Sequence, residues 1–100
     1  MYFIILAEDK PDLLALRAEV RPEHLAYAEA AGCVRLAGPL LDDGAEPKPR
    51  GSMLIIDVAD RAAAEDFAAH DPYMRAGLFA RVDIHPWLPA LGPWAPEGDA

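Results

Sequence analysis

One hundred residues, 53% of them hydrophobic and 26% charged, describe a single globular domain rather than a disordered chain. The formal net charge of −8 argues against nucleic acid and anionic membrane surfaces as partners, because both call for basic patches. Seven arginines still leave room for a local positive pocket that could take a small anion.

Residues 2–7 (Tyr-Phe-Ile-Ile-Leu-Ala) read as a strand, aromatic and then β-branched. Both alternating sets, Tyr2/Ile4/Leu6 and Phe3/Ile5/Ala7, are apolar, so the strand is expected to be covered on both faces. Asp9-Lys10-Pro11 reads as a helix start, after which Leu13, Leu16 and Val20 recur at helical spacing. Pro22 predicts an end or kink near Arg21 and a second helical segment from about 22 to 31, with Gly32 as its C-cap. Residues 33–38 read as the second strand, 39–50 as an exposed connection rich in proline and charge, and 52–58 as the third strand. Asp60 is placed to cap a helix over 61–69 that turns Ala63, Ala64 and Phe67 inward. Asp71-Pro72 opens a short helical turn that Gly77 ends. Residues 78–87 alternate, which predicts Leu78, Ala80, Val82 and Ile84 on one face and Phe79, Arg81, Asp83, His85 and Trp87 on the other. Beyond a domain of residues 1–88, the tail 89–100 is rich in proline, and Trp87 and Trp94 suggest that it docks.

The order β-α-β-β-α-β predicts an α+β, ferredoxin-like fold: an antiparallel sheet with helices on one face. The doubly apolar first strand then needs a cover on the open face, and a second copy of the chain packed sheet to sheet supplies one. The single cysteine, Cys33, permits no internal disulfide and points to a reducing cytoplasm; it reads as a small buried hydrophobe. Neither a signal peptide nor a membrane-length apolar run is visible.

The chain has no Asn, Gln or Thr and a single serine, Ser52, so few side chains are available for polar chemistry. If a helix restarts at Pro22, His24 lies in its first turn, where the dipole disfavours an imidazolium and suits the ring to proton transfer. Asp71 could orient that imidazole and stabilise its cation. Taken locally, a half-exposed surface histidine and a helix-capping aspartate are the simpler readings. One carboxylate oxygen can cap while the other accepts from an imidazole. Arg17 and Arg21, four residues apart, could clamp a carboxylate or phenolate, or could be solvated charges. Ser52 lacks the setting of an acyl-transfer nucleophile. The histidines show no metal-ligand spacing and no glycine-rich phosphate loop is present, so no metal or nucleotide cofactor is expected.

The ordered fragments Tyr2–Ala7, Arg17-x-x-x-Arg21-Pro22-x-His24-Leu25, Ala37-Gly38-Pro39-Leu40, Gly51-Ser52, and Asp71-Pro72-Tyr73 with Ala76-Gly77-Leu78-Phe79 resemble the YCII-related family of the dimeric α/β-barrel superfamily. The resemblance covers roughly residues 1–88. It implies a ferredoxin-like domain that dimerises through its sheets, with His24 and Asp71 as an acid–base pair. It also implies kinship with a dehydrochlorinase that acts on chlorinated hydroxyquinols. The expectation is a small cytoplasmic, cofactor-independent enzyme catalysing elimination or isomerisation, with His24 and Asp71 catalytic. Arg17, Ser52 and Tyr73 would position a small aromatic or carbonyl-bearing molecule. The alternatives are a non-catalytic module binding a small ligand or a protein through the same pocket, and a cofactor-free monooxygenase of the same superfamily.

Overall fold

Alternation along the first strand sets the layering. In β1 (Tyr2–Asp9), Phe3, Ile5 and Ala7 are buried while Tyr2, Ile4 and Leu6 are only partly covered. In this computed structural model, which describes residues 1–96, the elements continue as α1 (Leu14–Ala31), β2 (Val34–Leu41), β3 (Pro49–Asp57), α2 (Arg61–His70), α3 (Pro72–Arg75) and β4 (Phe79–Trp87). The four strands form one antiparallel sheet in the order β2-β3-β1-β4, the ferredoxin-like arrangement.

The core lies between the helices and one face of the sheet. Phe3 and Ile5 of β1 and Leu54 and Ile56 of β3 pack with Ala64 and Phe67 of α2. A second cluster joins Ala7, Val20 of α1, Tyr73 of α3, Leu78 and Phe79. Cys33 is partly buried against the first cluster, and burial raises its thiol pKa. Asp60 caps α2 as expected, its side chain accepting from the Ala63 amide at 2.9 Å.

Four expectations need correction. Pro22 does not end the first helix: α1 runs unbroken from Leu14 to Ala31 with Pro22 inside it, and Gly32 caps it in the left-handed conformation at φ 71°. The proline removes one backbone donor, but tertiary packing of Arg17, Val20 and His24 outweighs that loss. Asp9 does not start this helix; it ends β1, and the helix opens at Leu14 without a side-chain cap. The alternation in β4 shifts phase at its beginning. Glu8 pairs with Arg81 but Asp9 pairs with Phe79, a bulge that leaves Ala80 exposed and turns Phe79 into the core with Val82. The described part of the tail, 89–96, is only partly docked: Pro89 is buried, but Leu91 and Trp94 are 96% and 82% exposed; residues 97–100 lie outside the described residues.

Candidate active site

Because α1 is continuous, Leu14, Arg17, Ala18, Arg21, His24 and Leu25 form one helical stripe. That stripe faces β2 and β3 across a cavity of about 380 Å³, whose opposite wall includes Gly38, Pro39, Ser52 and Leu54. A break at Pro22 would have turned His24 away from Arg17. The dipole argument for a neutral imidazole falls with the break, since His24 sits in the middle of the helix and not in its first turn.

His24 and Asp71 meet. His24 Nδ1 lies 2.8 Å from Asp71 Oδ1, and both side chains are buried. A carboxylate can only accept, so beside an ionised Asp71 the proton of the contact belongs to Nδ1, and in the neutral form of that ring the lone pair resides on Nε2. No protein group among the described residues bonds Nε2. Since no buried side-chain nitrogen or oxygen among the described residues lacks a partner, Nε2 must reach open space, and His24 lines the cavity. Asp71 ends α2 and caps α3, its Oδ1 accepting from the Tyr73 amide at 2.9 Å. Capping and imidazole contact therefore fall on the same oxygen, not on one oxygen each as expected.

Arg17 is held more tightly than its helical position suggests. Its Nε and Nη2 donate to the two carboxylate oxygens of Asp9 at 2.7 and 2.9 Å, and Nη2 also donates to Ser52 Oγ at 2.8 Å. Arg17 is 6% exposed; burial opposes its charge, but Asp9, with a smaller contribution from Tyr73, more than offsets this and the guanidinium pKa is raised. Ser52 is positioned by its neighbour. A Cβ on Gly51 would collide with the Ala7 carbonyl oxygen, so only glycine lets β3 lie this close to β1. Of this group, only Asp9 escaped the sequence reading. No local signal marks it, because its partner lies one turn inside the following helix.

Tyr73 joins the two halves. Its ring stacks on His24 with centroids 4.1 Å apart and planes inclined by 19°, and the Arg17 guanidinium carbon lies 4.7 Å from the centre of the same ring. Burial raises the Tyr73 phenol pKa, against the opposing charges of Arg17 and Arg21. The result is a column, Asp9–Arg17–Tyr73–His24–Asp71, beside a largely apolar cavity. Arg21 reaches the same cavity from the helix. Among the described residues no cluster of three His, Cys, Asp or Glu is placed to hold a metal, and no helix is long and apolar enough to cross a membrane.

A four-stranded antiparallel sheet in this order, with its helices on one face, puts the chain among the ferredoxin-like α+β proteins. Residues 1–88 match the YCII-related domain, and the chain belongs to that family. An uncharacterized protein of Haemophilus influenzae is 38% identical over 94 residues, spanning 87% of this chain and 96% of the relative. The protein YciI of Escherichia coli O6:H1 is 35% identical with the same coverage. Among solved structures, the 5-chloro-2-hydroxyhydroquinone dehydrochlorinase TftG of Burkholderia phenoliruptrix AC1100, in complex with 2,5-dihydroxybenzoquinone, superposes with a TM-score of 0.80 at 32% identity. The match covers 87% of this chain and 93% of that one. An antibiotic biosynthesis monooxygenase matches with a TM-score of 0.56 at 16% identity, covering 89% of this chain and all of that one, and shares the fold alone.

Proposed function

We propose that this protein is a cofactor-independent acid–base enzyme acting on a small aromatic or carbonyl-bearing molecule, by elimination or isomerisation. The observation that carries this is the 2.8 Å contact between His24 and Asp71 at the edge of a largely apolar cavity. In this reading Nε2 of His24 takes an acidic proton from the substrate. The electron pair left behind forms a new double bond as a leaving group departs, or moves along the conjugated system in an isomerisation. Asp71 holds the tautomer and stabilises the imidazolium, which returns its proton to solvent or product. Ser52 and Tyr73 shape the wall, and Arg17 contributes through Nη1, its one nitrogen bonded to neither Asp9 nor Ser52. The likeness to a dehydrochlorinase bound to 2,5-dihydroxybenzoquinone supports both the reaction class and the ligand size.

The test is turnover of halogenated hydroxyquinols and small keto acids. Positioned proton transfer accounts for about 10²–10⁴-fold, so His24→Gln and Asp71→Asn should each lower kcat by that order while the fold is kept. Asn still offers an oxygen to cap the Tyr73 amide, which separates the catalytic role of Asp71 from capping. If both variants turn over at the wild-type rate, the pair is not catalytic and the cavity serves only to bind a ligand.

The proposal includes a homodimer in a reducing cytoplasm. Tyr2, Ile4, Leu6, Met53 and Ile55 share the sheet face opposite the helices and are only partly covered in the single chain, an apolar surface suited to a second sheet. Light scattering at micromolar concentration checks this, and a monomer there would refute it.

A further inference from the structure

The cavity wall carries two arginines, and their electrostatic situations differ. Arg17 is buried and its charge is matched at close range by both oxygens of Asp9. Arg21 is exposed and makes no ion pair with any described carboxylate, yet it lies on the same helical stripe between Arg17 and His24. Its charge is felt at the buried Tyr73 phenol, which stacks on the imidazole. The other wall residues are mostly apolar, including Leu14, Leu25, Pro39, Pro49 and Leu54. With a net charge of −8, the protein's overall field disfavours anions, so an anionic ligand needs a local positive group, and Arg21 is the wall cation without a carboxylate partner among the described residues.

We propose that Arg21 is the specificity residue of this cavity, selecting a planar, conjugated oxyanion: a single-ring phenolate, enolate or carboxylate whose charged oxygen lies at Arg21. Arg17, neutralised by Asp9, orders the wall and adds little to the choice between charged and neutral ligands. This rests on the acid–base reading of the site and sharpens it. A substrate already anionic at Arg21 presents its conjugated ring along the helical stripe that ends at His24. A cavity of about 380 Å³ is in the size range of small-molecule sites and suits one ring.

The experiment uses a matched pair of probes on the full chain: 2,5-dihydroxybenzoquinone, ionised at neutral pH, and its neutral dimethyl ether. Dissociation constants are measured by calorimetry at low ionic strength. Wild type should bind the anion more tightly than the ether. Arg21→Gln should weaken the anion about five- to tenfold and leave the ether unchanged, and Arg21→Lys should recover part of the loss. Added salt should narrow the wild-type preference and leave the Gln variant's ratio flat. An anion-to-ether ratio unaltered by Arg21→Gln overturns the proposal, as does the absence of anion binding at millimolar concentration. The outcome is separable from the catalytic reading. A ratio that collapses in Arg21→Gln while His24→Gln keeps full turnover would retain the selectivity role and remove the dyad. The reverse pattern would do the opposite.

Discussion

Asp9→Ala tests whether the Asp9–Arg17 pair is the mechanical anchor of the site. Both side chains are nearly buried, at 9% and 8% exposure, and the contact is bidentate at 2.7 and 2.9 Å. Two unit charges roughly 4 Å apart attract by about 4 kcal/mol at an effective dielectric of 20. Removing one member of such a pair leaves the other charge buried, which costs about 3–5 kcal/mol. Arg17 would keep Ser52 Oγ and the Tyr73 ring as partial compensation, which puts the expected loss near the lower figure, about 3 kcal/mol. Against a typical total of about 5–15 kcal/mol, that is a large fraction.

The control is the double variant Asp9→Ala with Arg17→Met. Methionine refills the aliphatic stem without a charge, so no uncompensated cation remains and the loss should fall to about 1–2 kcal/mol. The coupling energy from the full cycle should then be about 2 kcal/mol or more. Urea unfolding at one fixed protein concentration measures all four proteins, since a proposed dimer makes stability depend on concentration. An Asp9→Ala cost below about 1 kcal/mol, or a double variant equal to the sum of the singles, would refute the argument that this pair is desolvated and coupled.

Three further outcomes follow from the geometry. Gly51→Ala should cost about 2 kcal/mol or more by chemical denaturation and disturb Ser52, because the new methyl meets the Ala7 carbonyl oxygen, which is backbone and cannot swing aside; a wild-type midpoint would refute this. Pro22→Ala should stabilise the protein by about 1–2 kcal/mol, the helix-interior penalty of proline less its restriction of the unfolded chain; a lowered melting temperature would show that the proline geometry itself holds α1 in place. Tyr27 and Tyr73 both have raised pKa values, chiefly through burial, so phenolate absorbance should show these two ionising above the ordinary value of about 10. A raised folded-state pKa gives stability that is whole below the unfolded value and lost as pH climbs through the folded one; the contribution of these two tyrosines should therefore be intact up to about pH 10 and decline above it.

The order of elements was legible because the strands are short apolar runs bounded by turn residues and because α2 and α3 open on their own caps, while α1 opens on none. Asp60 and Asp71 stand where the pattern puts them, and both accept from the amide expected of a cap. The doubly apolar β1 also reads correctly as a strand, with Phe3, Ile5 and Ala7 buried and Tyr2, Ile4 and Leu6 partly covered on its other face. What the pattern could not give were the two places where tertiary packing overrides a local rule. At Pro22 the single-residue rule predicts a break. The stripe of Arg17, Val20 and His24 nevertheless spans the proline with buried side chains on both sides, and their contacts hold the helix together. At Phe79 the alternation is real from Arg81 onward, but one bulged residue reverses the phase before it, and only the pairing with β1 reveals that.

The same distinction explains why the contact of His24 with Asp71 was readable and its surroundings were not. His24 and Asp71 each sit in a recognisable motif, so the resemblance pairs them across 47 residues of chain. Asp9 sits in no motif; it ends a strand, and its importance arises only because Arg17 projects back over the first turn of α1 toward it. Yet the physics of the site gives Asp9 a part symmetrical to that of Asp71. Each carboxylate closes one end of the stack Arg17–Tyr73–His24, one neutralising a guanidinium and the other orienting an imidazole. Tyr73 touches both the guanidinium and the imidazole, so a change at either end is expected to reach the other through its ring. The proposed acid–base group is thus linked to Asp9 through Arg17 and Tyr73, while Arg21, which has no carboxylate partner among the described residues, is the cation that the proposal assigns to a ligand.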